Sequence, residues 1–163
     1  MKRAIVLAAG ILGGCGSNPG ATGWPFDPVH FFTGHTHGEA RLRLVTGASR
    51  QVSIDSIGTP DRGGGLVLDQ TIHEGKQPAR TRRWVIHPAG PNHWTGTLTD
   101  AVGPVTIDRT SSEVIIHYRI KSGNEVEQHL QLPPGGFVTN HMEVSRFGIN
   151  VATLDEQIRK LPQ

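Results

Sequence analysis

Two histidines and a glutamate near the start of the predicted sheet are the side chains best suited to chemistry. They are His35, His37 and Glu39, within the segment His-Thr-His-Gly-Glu. Alternate residues of an extended chain point to the same side, so all three would share one face. Two imidazoles and one carboxylate can bind a transition metal such as iron or zinc. The sequence therefore raises the hypothesis of a metal-dependent β-barrel enzyme; the alternative is a polar, solvent-facing start of a strand.

The other reactive side chains do not form a recognisable catalytic set. The chain has no Gly-x-Ser-x-Gly segment, the motif that carries the nucleophile of one large class of hydrolases. Its nine histidines are scattered, and most fall opposite the aligned aliphatic residues, as His117 does beside Ile116 and Tyr118. We therefore assign no catalytic residue and no cofactor, and we favour a non-enzymatic function.

Short period-two patterns separated by turn residues run from Phe31 almost to the end of the chain. Such alternation predicts half-buried strands, and eight to ten of them in series predict an all-β fold, an antiparallel up-and-down barrel. Closure of the barrel removes unpaired strand edges. Near the end, Leu154, Ile158 and Leu161 are also spaced as on one face of a helix, so the pattern allows a short C-terminal helix.

The aligned apolar residues of these strands predict the interior of the barrel. In a barrel of about eight strands, such residues either fill the interior or surround a ligand cavity, and the sequence leaves both open. Gly96, on the same face as Trp94, would leave local room. The candidate cavity residues are Trp84, Ile86, Trp94, Gly96, Leu98, Ile116, Tyr118 and Phe137.

The first residues have the layout of a secretory signal peptide. Lys2 and Arg3 precede an apolar run that is too short to span a bilayer, and small residues then lead to Cys15. The ending Leu-Gly-Gly-Cys resembles the lipobox of bacterial lipoproteins. The resemblance implies that residues 1–14 are removed, that Cys15 is lipidated, and that the chain resides at the periplasmic face of the outer membrane.

Composition divides the rest of the chain into a tether and one domain. Residues 15–29 are rich in glycine and proline and predict a flexible tether, and residues 30–163 predict the barrel domain. Without Lys2 and Arg3, the chain has 14 basic and 14 acidic side chains. This balance argues against nucleic acid as a partner, because it leaves no surplus of positive charge.

Several segments, in the same order, resemble a bacterial lipoprotein family of unknown function (domain of unknown function 3833). The segments are Phe31-Phe32-x-Gly34, Glu74-Gly75, Arg83-Trp84, Trp94 to Gly103, Tyr118, Asn140 and Ser145-Arg146-Phe147-Gly148. This resemblance implies a calycin-like barrel, the fold in which lipocalins hold apolar ligands. The chain departs from the family where Asp155-Glu156-Gln157 interrupts an otherwise apolar ending. The family's chemistry is unsettled, so no catalytic residue is carried over.

The leading hypothesis is a lipid-anchored envelope protein that binds a hydrophobic small molecule or lipid in its barrel without catalysis. The membrane would then be one partner, through the lipid on Cys15. Two alternatives remain: the metal-dependent enzyme, and a structural lipoprotein that binds another envelope protein.

Overall fold

The computed structural model describes residues 26–162, which form ten strands and one short helix. The elements, in chain order, are α1 (Pro28–Phe32), β1 (Gly34–Leu44), β2 (Ser49–Pro60), β3 (Leu66–Glu74), β4 (Arg80–Gly90), β5 (His93–Leu98), β6 (Ala101–Arg109), β7 (Val114–Ile120), β8 (Glu125–Gln131), β9 (Phe137–Arg146) and β10 (Ile149–Lys160). No helix among the described residues is long and apolar enough to cross a membrane.

The ten strands form one closed antiparallel barrel. Each strand pairs with its neighbours in the chain, and β1 pairs with β10 to close the sheet, with Leu42 opposite Leu154. Every strand therefore has two neighbours, and the sheet has no free edge. The predicted all-β, up-and-down barrel of eight to ten strands is confirmed.

The short C-terminal helix that the spacing allowed is not formed, because its residues lie in or just beyond β10. A spacing of four residues suits a strand as well as a helix, since it is also a multiple of two. Leu154 and Ile158 both point inward and are 8% and 6% exposed, whereas Leu161 lies past the strand end. The extended form lets β10 pair with β9 on one side and β1 on the other.

Helix α1 packs at one end of the barrel. Asp27 caps it by accepting a hydrogen bond from the His30 backbone N–H at 3.1 Å. Phe26 is only 2% exposed, and its ring lies 5.5 Å from that of Phe31. The last residues of the segment predicted as a tether are thus packed against the barrel. The remainder of that segment, with Cys15 and residues 1–14, lies outside the described residues.

The opposite end of the barrel exposes apolar side chains at two neighbouring hairpin tips. Val45, Phe147 and Ile149 are 72%, 91% and 67% exposed. The tips are adjacent because the Val45 backbone N–H donates to the Val151 carbonyl at 3.0 Å. We call this end the mouth, since α1 lies at the other end.

The close contact between α1 and β2 requires a glycine at residue 58. A Cβ atom at this position would lie 1.8 Å from the backbone oxygen of Phe32. We expect Gly58→Ala to lower the free energy of unfolding by about 1–3 kcal/mol, because overpacking forces the backbone apart. Urea unfolding would measure this, with Gly90→Ala as the control, since its nearest heavy atom would be 3.9 Å away. Equal stability of the two variants would contradict the assignment.

Candidate functional site

A cavity of about 110 Å³ lies inside the barrel. Most of its wall is apolar and comes from alternate residues of several strands, including Ile54, Leu68, Ile72, Leu130, Leu154 and Ile158. Pro28 and Phe32 of α1 also line it. The cavity is smaller than the roughly 300–1,000 Å³ typical of pockets for drug-sized ligands. It is close in size to the roughly 150 Å³ apolar cavity that accepts benzene in an engineered protein.

Seven of the eight predicted cavity residues lie on strands with the predicted face turned inward. Trp84, Ile86 and Ile116 line the cavity. Trp94, Leu98 and Tyr118 are 7%, 5% and 5% exposed and belong to the core cluster around it. Gly96 has a different role from the one predicted. A Cβ there would lie 2.0 Å from the Val85 backbone oxygen, so this glycine lets β4 and β5 approach closely rather than leaving room for a ligand.

Phe137 does not reach the cavity, and its assignment was wrong. In β9 the inward positions are Val138 and Asn140, which are 0% and 6% exposed. Phe137 is therefore on the outer face, where the Arg159 guanidinium lies 5.0 Å from its ring centroid. Phe137 faces outward because side chains alternate strictly along β9, although an aromatic residue more often lies in a barrel interior.

Several polar side chains point into the barrel, and of these only Tyr118 was predicted from the sequence to face the interior. One group lies in a row across β2, β3 and β4, where Ser56 pairs with Gln70, and Gln70 pairs with Arg82. The Gln70 amide donates to the Ser56 hydroxyl at 3.2 Å. Its oxygen accepts from Arg82 Nε at 3.1 Å and from Trp84 Nε1 at 2.7 Å. Gln70 thus holds both the guanidinium and the indole in place.

A second group of polar side chains faces the first from β7 to β10. Gln128 donates to the Tyr118 hydroxyl at 2.9 Å and accepts from Asn140 Nδ2 at 3.2 Å. Asn140 Nδ2 also donates to Glu156 Oε2 at 3.0 Å. The two groups meet where the Tyr118 and Trp84 rings pack edge to face, 5.5 Å apart. We call these seven side chains the polar belt: Ser56, Gln70, Arg82, Tyr118, Gln128, Asn140 and Glu156.

Glu156 is the acidic member of the polar belt, and β1 makes room for it. A Cβ at Gly38 would lie 2.0 Å from Glu156 Oε1, so only glycine leaves space for the carboxyl there. Burial raises the pKa of Glu156, and the hydrogen bond from Asn140 and the charges of Arg82 and His37 oppose that rise. Burial likewise raises the pKa of Tyr118, against a smaller opposite effect from the neighbouring Arg82. The interior thus disfavours the ionised form of both groups.

The three residues predicted to bind metal lie on the outer face of β1. His35 and Glu39 are exposed, and both ring nitrogens of His37 are engaged, with Asp55 at 2.7 Å and Glu39 at 2.8 Å. Hydrogen bonds to Asp55 and Glu39 raise the pKa of His37, which favours an imidazolium, not a metal ligand. Within residues 26–162, no group of three or more His, Cys, Asp or Glu could hold a metal ion. This geometry gives no support to the metal hypothesis.

A closed, up-and-down antiparallel barrel around a small, mostly apolar cavity is a lipocalin-like fold. The fold is similar to that of the S-type phycobiliprotein lyase CPES from Guillardia theta, with a TM-score of 0.65 and 7% sequence identity. The likeness covers 83% of this chain and 92% of the lyase. At that identity it shows a shared fold alone.

The chain belongs to the family described as protein of unknown function (DUF3833), which matches residues 11–160. No curated protein matches it in sequence. The family match confirms the resemblance to this family that the short motifs indicated.

The raised pKa of Glu156 predicts a pH-dependent contribution to stability. A carboxyl whose pKa is higher in the folded state than in the unfolded state favours folding at low pH and loses that contribution as pH rises through the folded pKa. The wild type should therefore lose stability relative to Glu156→Gln as pH rises above about 4.3, the ordinary pKa of a glutamate. Urea unfolding from pH 4 to pH 8 would measure the difference.

A matched control for this pH experiment is Glu143→Gln, which alters an exposed carboxylate on the neighbouring strand. If the two variants differ from the wild type in the same way across the pH range, Glu156 is not buried as described.

Proposed function

We propose that this protein binds a small apolar molecule or lipid inside its barrel and does so without catalysis. The observation that carries the proposal is the cavity itself, which lies inside the closed barrel and is walled mainly by aliphatic side chains. Removing a ligand's apolar surface from water would favour binding by about 25 cal/mol per Å². The volume suits a slender chain or a single ring more than a large cofactor.

The shared fold with a phycobiliprotein lyase supports small-molecule binding at the level of architecture. It brings no ligand and no reaction to this chain, because the two sequences are only 7% identical. The titratable groups of the interior also fit a binding role. Glu156 is hydrogen-bonded to Asn140, and Arg82 to Gln70, so both side chains are held within the polar belt.

We also propose that a lipid on Cys15 anchors the protein at the periplasmic face of the outer membrane. The support is the order of Lys2 and Arg3, an apolar run, small residues and the cysteine. A single acyl chain would bind a membrane only marginally, so a stable anchor needs two or more.

Filling the cavity should abolish ligand binding while leaving the barrel intact. Ile116 lines the cavity and is 8% exposed, whereas its neighbour Ile115 points outward and pairs with His129. After gentle extraction of the protein from its native membranes, native mass spectrometry should find a bound apolar molecule on the wild type and on Ile115→Phe. We expect Ile116→Phe to lose at least nine-tenths of it, because the ring takes the space. A wild type that never retains a ligand would contradict the proposal.

Loss of the thiol should release the protein from the membrane. We expect Cys15→Ser to lose incorporated radiolabelled palmitate and to leave the membrane fraction, because no acyl chain can be attached. The control, Ser17→Ala, should retain both. A wild-type protein that keeps Met1 and carries no acyl chain, as shown by mass spectrometry, would contradict the anchor.

A further inference from the structure

Asn140 has one hydrogen-bonding atom that the barrel leaves without a partner. The residue is 6% exposed and lines the cavity. Its Nδ2 group donates to Gln128 Oε1 at 3.2 Å and to Glu156 Oε2 at 3.0 Å, so both amide hydrogens are engaged. Its Oδ1 atom is buried and has no hydrogen-bond partner. A buried acceptor in this state costs free energy unless something donates to it.

The orientation of that amide follows from its neighbours. The Asn140 atom next to Glu156 Oε2 is the nitrogen, and Oε2 accepts from it both when the carboxyl is ionised and when the carboxyl carries its proton on the other oxygen, Oε1. Gln128 presents its oxygen to the same nitrogen because its own amide nitrogen donates to the Tyr118 hydroxyl. In this arrangement the polar belt leaves an acceptor, rather than a donor, without a partner, and that acceptor belongs to a side chain of the cavity wall.

The buried cation of the cavity wall, Arg82, already has acidic neighbours. Arg82 and Glu156 both point into the barrel, and the charge of Arg82 lowers the pKa of Glu156 against the effect of burial. Arg82 also lies 3.7 Å from Asp100. Arg80, the other basic residue of the wall, lies at the mouth, where its side chain is 53% exposed and 4.0 Å from Asp100. A charged ligand would find no spare counterion inside and would lose its hydration on entry.

We infer that the cavity takes a neutral, mostly apolar molecule with one hydroxyl group, which donates a hydrogen bond to Asn140 Oδ1. The inference rests on the proposed function and specifies its ligand class. The apolar part of the molecule lies against the aliphatic wall, where Leu130 is the cross-strand partner of Asn140. The hydroxyl completes the hydrogen bonding of the polar belt. Glu156 acts through Asn140: it holds the amide in the orientation that turns the oxygen to the ligand.

Four probes of equal chain length test the inference: 1-hexanol, n-hexane, hexanoate and hexylammonium. Binding is measured by calorimetric titration and by the NMR signal of the Trp84 indole N–H, which lies in the cavity wall. We expect 1-hexanol to bind about tenfold more tightly than n-hexane, which is the discrimination that one buried hydrogen bond supplies. The two charged probes should bind more weakly than the alcohol.

A substitution at Asn140 locates the effect. Asn140→Leu keeps similar bulk and removes the acceptor, so the alcohol should lose its advantage over n-hexane. Thr139→Val, at the neighbouring position on the outer face of the same strand, should keep that advantage, since Thr139 does not line the cavity. If Asn140→Leu does not fold by circular dichroism, the comparison of probes on the wild type still decides the question.

The possible results separate the inference from the function on which it rests. If none of the four probes perturbs Trp84, small-molecule binding in the barrel itself is overturned. If n-hexane binds as tightly as 1-hexanol, or if either charged probe binds more tightly, the cavity binds ligands but the assigned ligand class is wrong.

Discussion

In a closed barrel, every second residue of each strand faces an interior that bulk water does not fill. A polar side chain at an inward position therefore exchanges hydrogen bonds with water for hydrogen bonds with its inward neighbours. In this protein, polar residues occupy inward positions on seven different strands, and together they form the polar belt. The shape of the cavity, and the directions in which its polar side chains point, follow from the need to satisfy the hydrogen-bonding atoms of these groups.

Glu156 shows how strongly this requirement shapes the backbone. Its carboxyl can lie inside only because position 38 of the neighbouring strand is glycine, and its partner Asn140 is directly opposite on the other side. A leucine at 156 would fill the same region without the cost of burying an ionisable group. Stability is therefore a weak explanation for this carboxyl, and orientation of the Asn140 amide is a better one.

The sequence predicted the barrel because alternation is a property of each strand on its own. Trp84, Ile86 and Ile116 were placed correctly by that alternation. The same alternation would also have revealed the polar belt: Gln70 stands between Leu68 and Ile72, and Gln128 between Val126 and Leu130. The inward positions of Gln70 and Gln128 were missed because only apolar and aromatic side chains were predicted to face the interior.

The period-two pattern alone did not predict several other features. Phe137 was assigned to the interior by its residue type, although Val138 and Asn140 fix the inward frame of its strand. The helical spacing of Leu154 and Ile158 was ambiguous until β10 was seen to close the sheet. The sequence could not decide whether the barrel interior is filled or contains a cavity. The outcome depends on the stagger of ten strands and on which side chains fold back against the wall, and neither is encoded in any one segment.

The small size of the cavity changes which interactions can discriminate among ligands. Apolar walls tell molecules apart poorly, since one methylene group more or less alters binding by only about 1–3 kcal/mol. A site built around a buried polar atom rejects analogues more strongly, because a ligand without the matching group leaves that atom unpaired. With about 110 Å³ available, only a few carbon atoms can contribute apolar contact, so one hydrogen bond is a large share of the binding energy. The aliphatic wall then sets the size of the ligand, and Asn140 sets its chemistry.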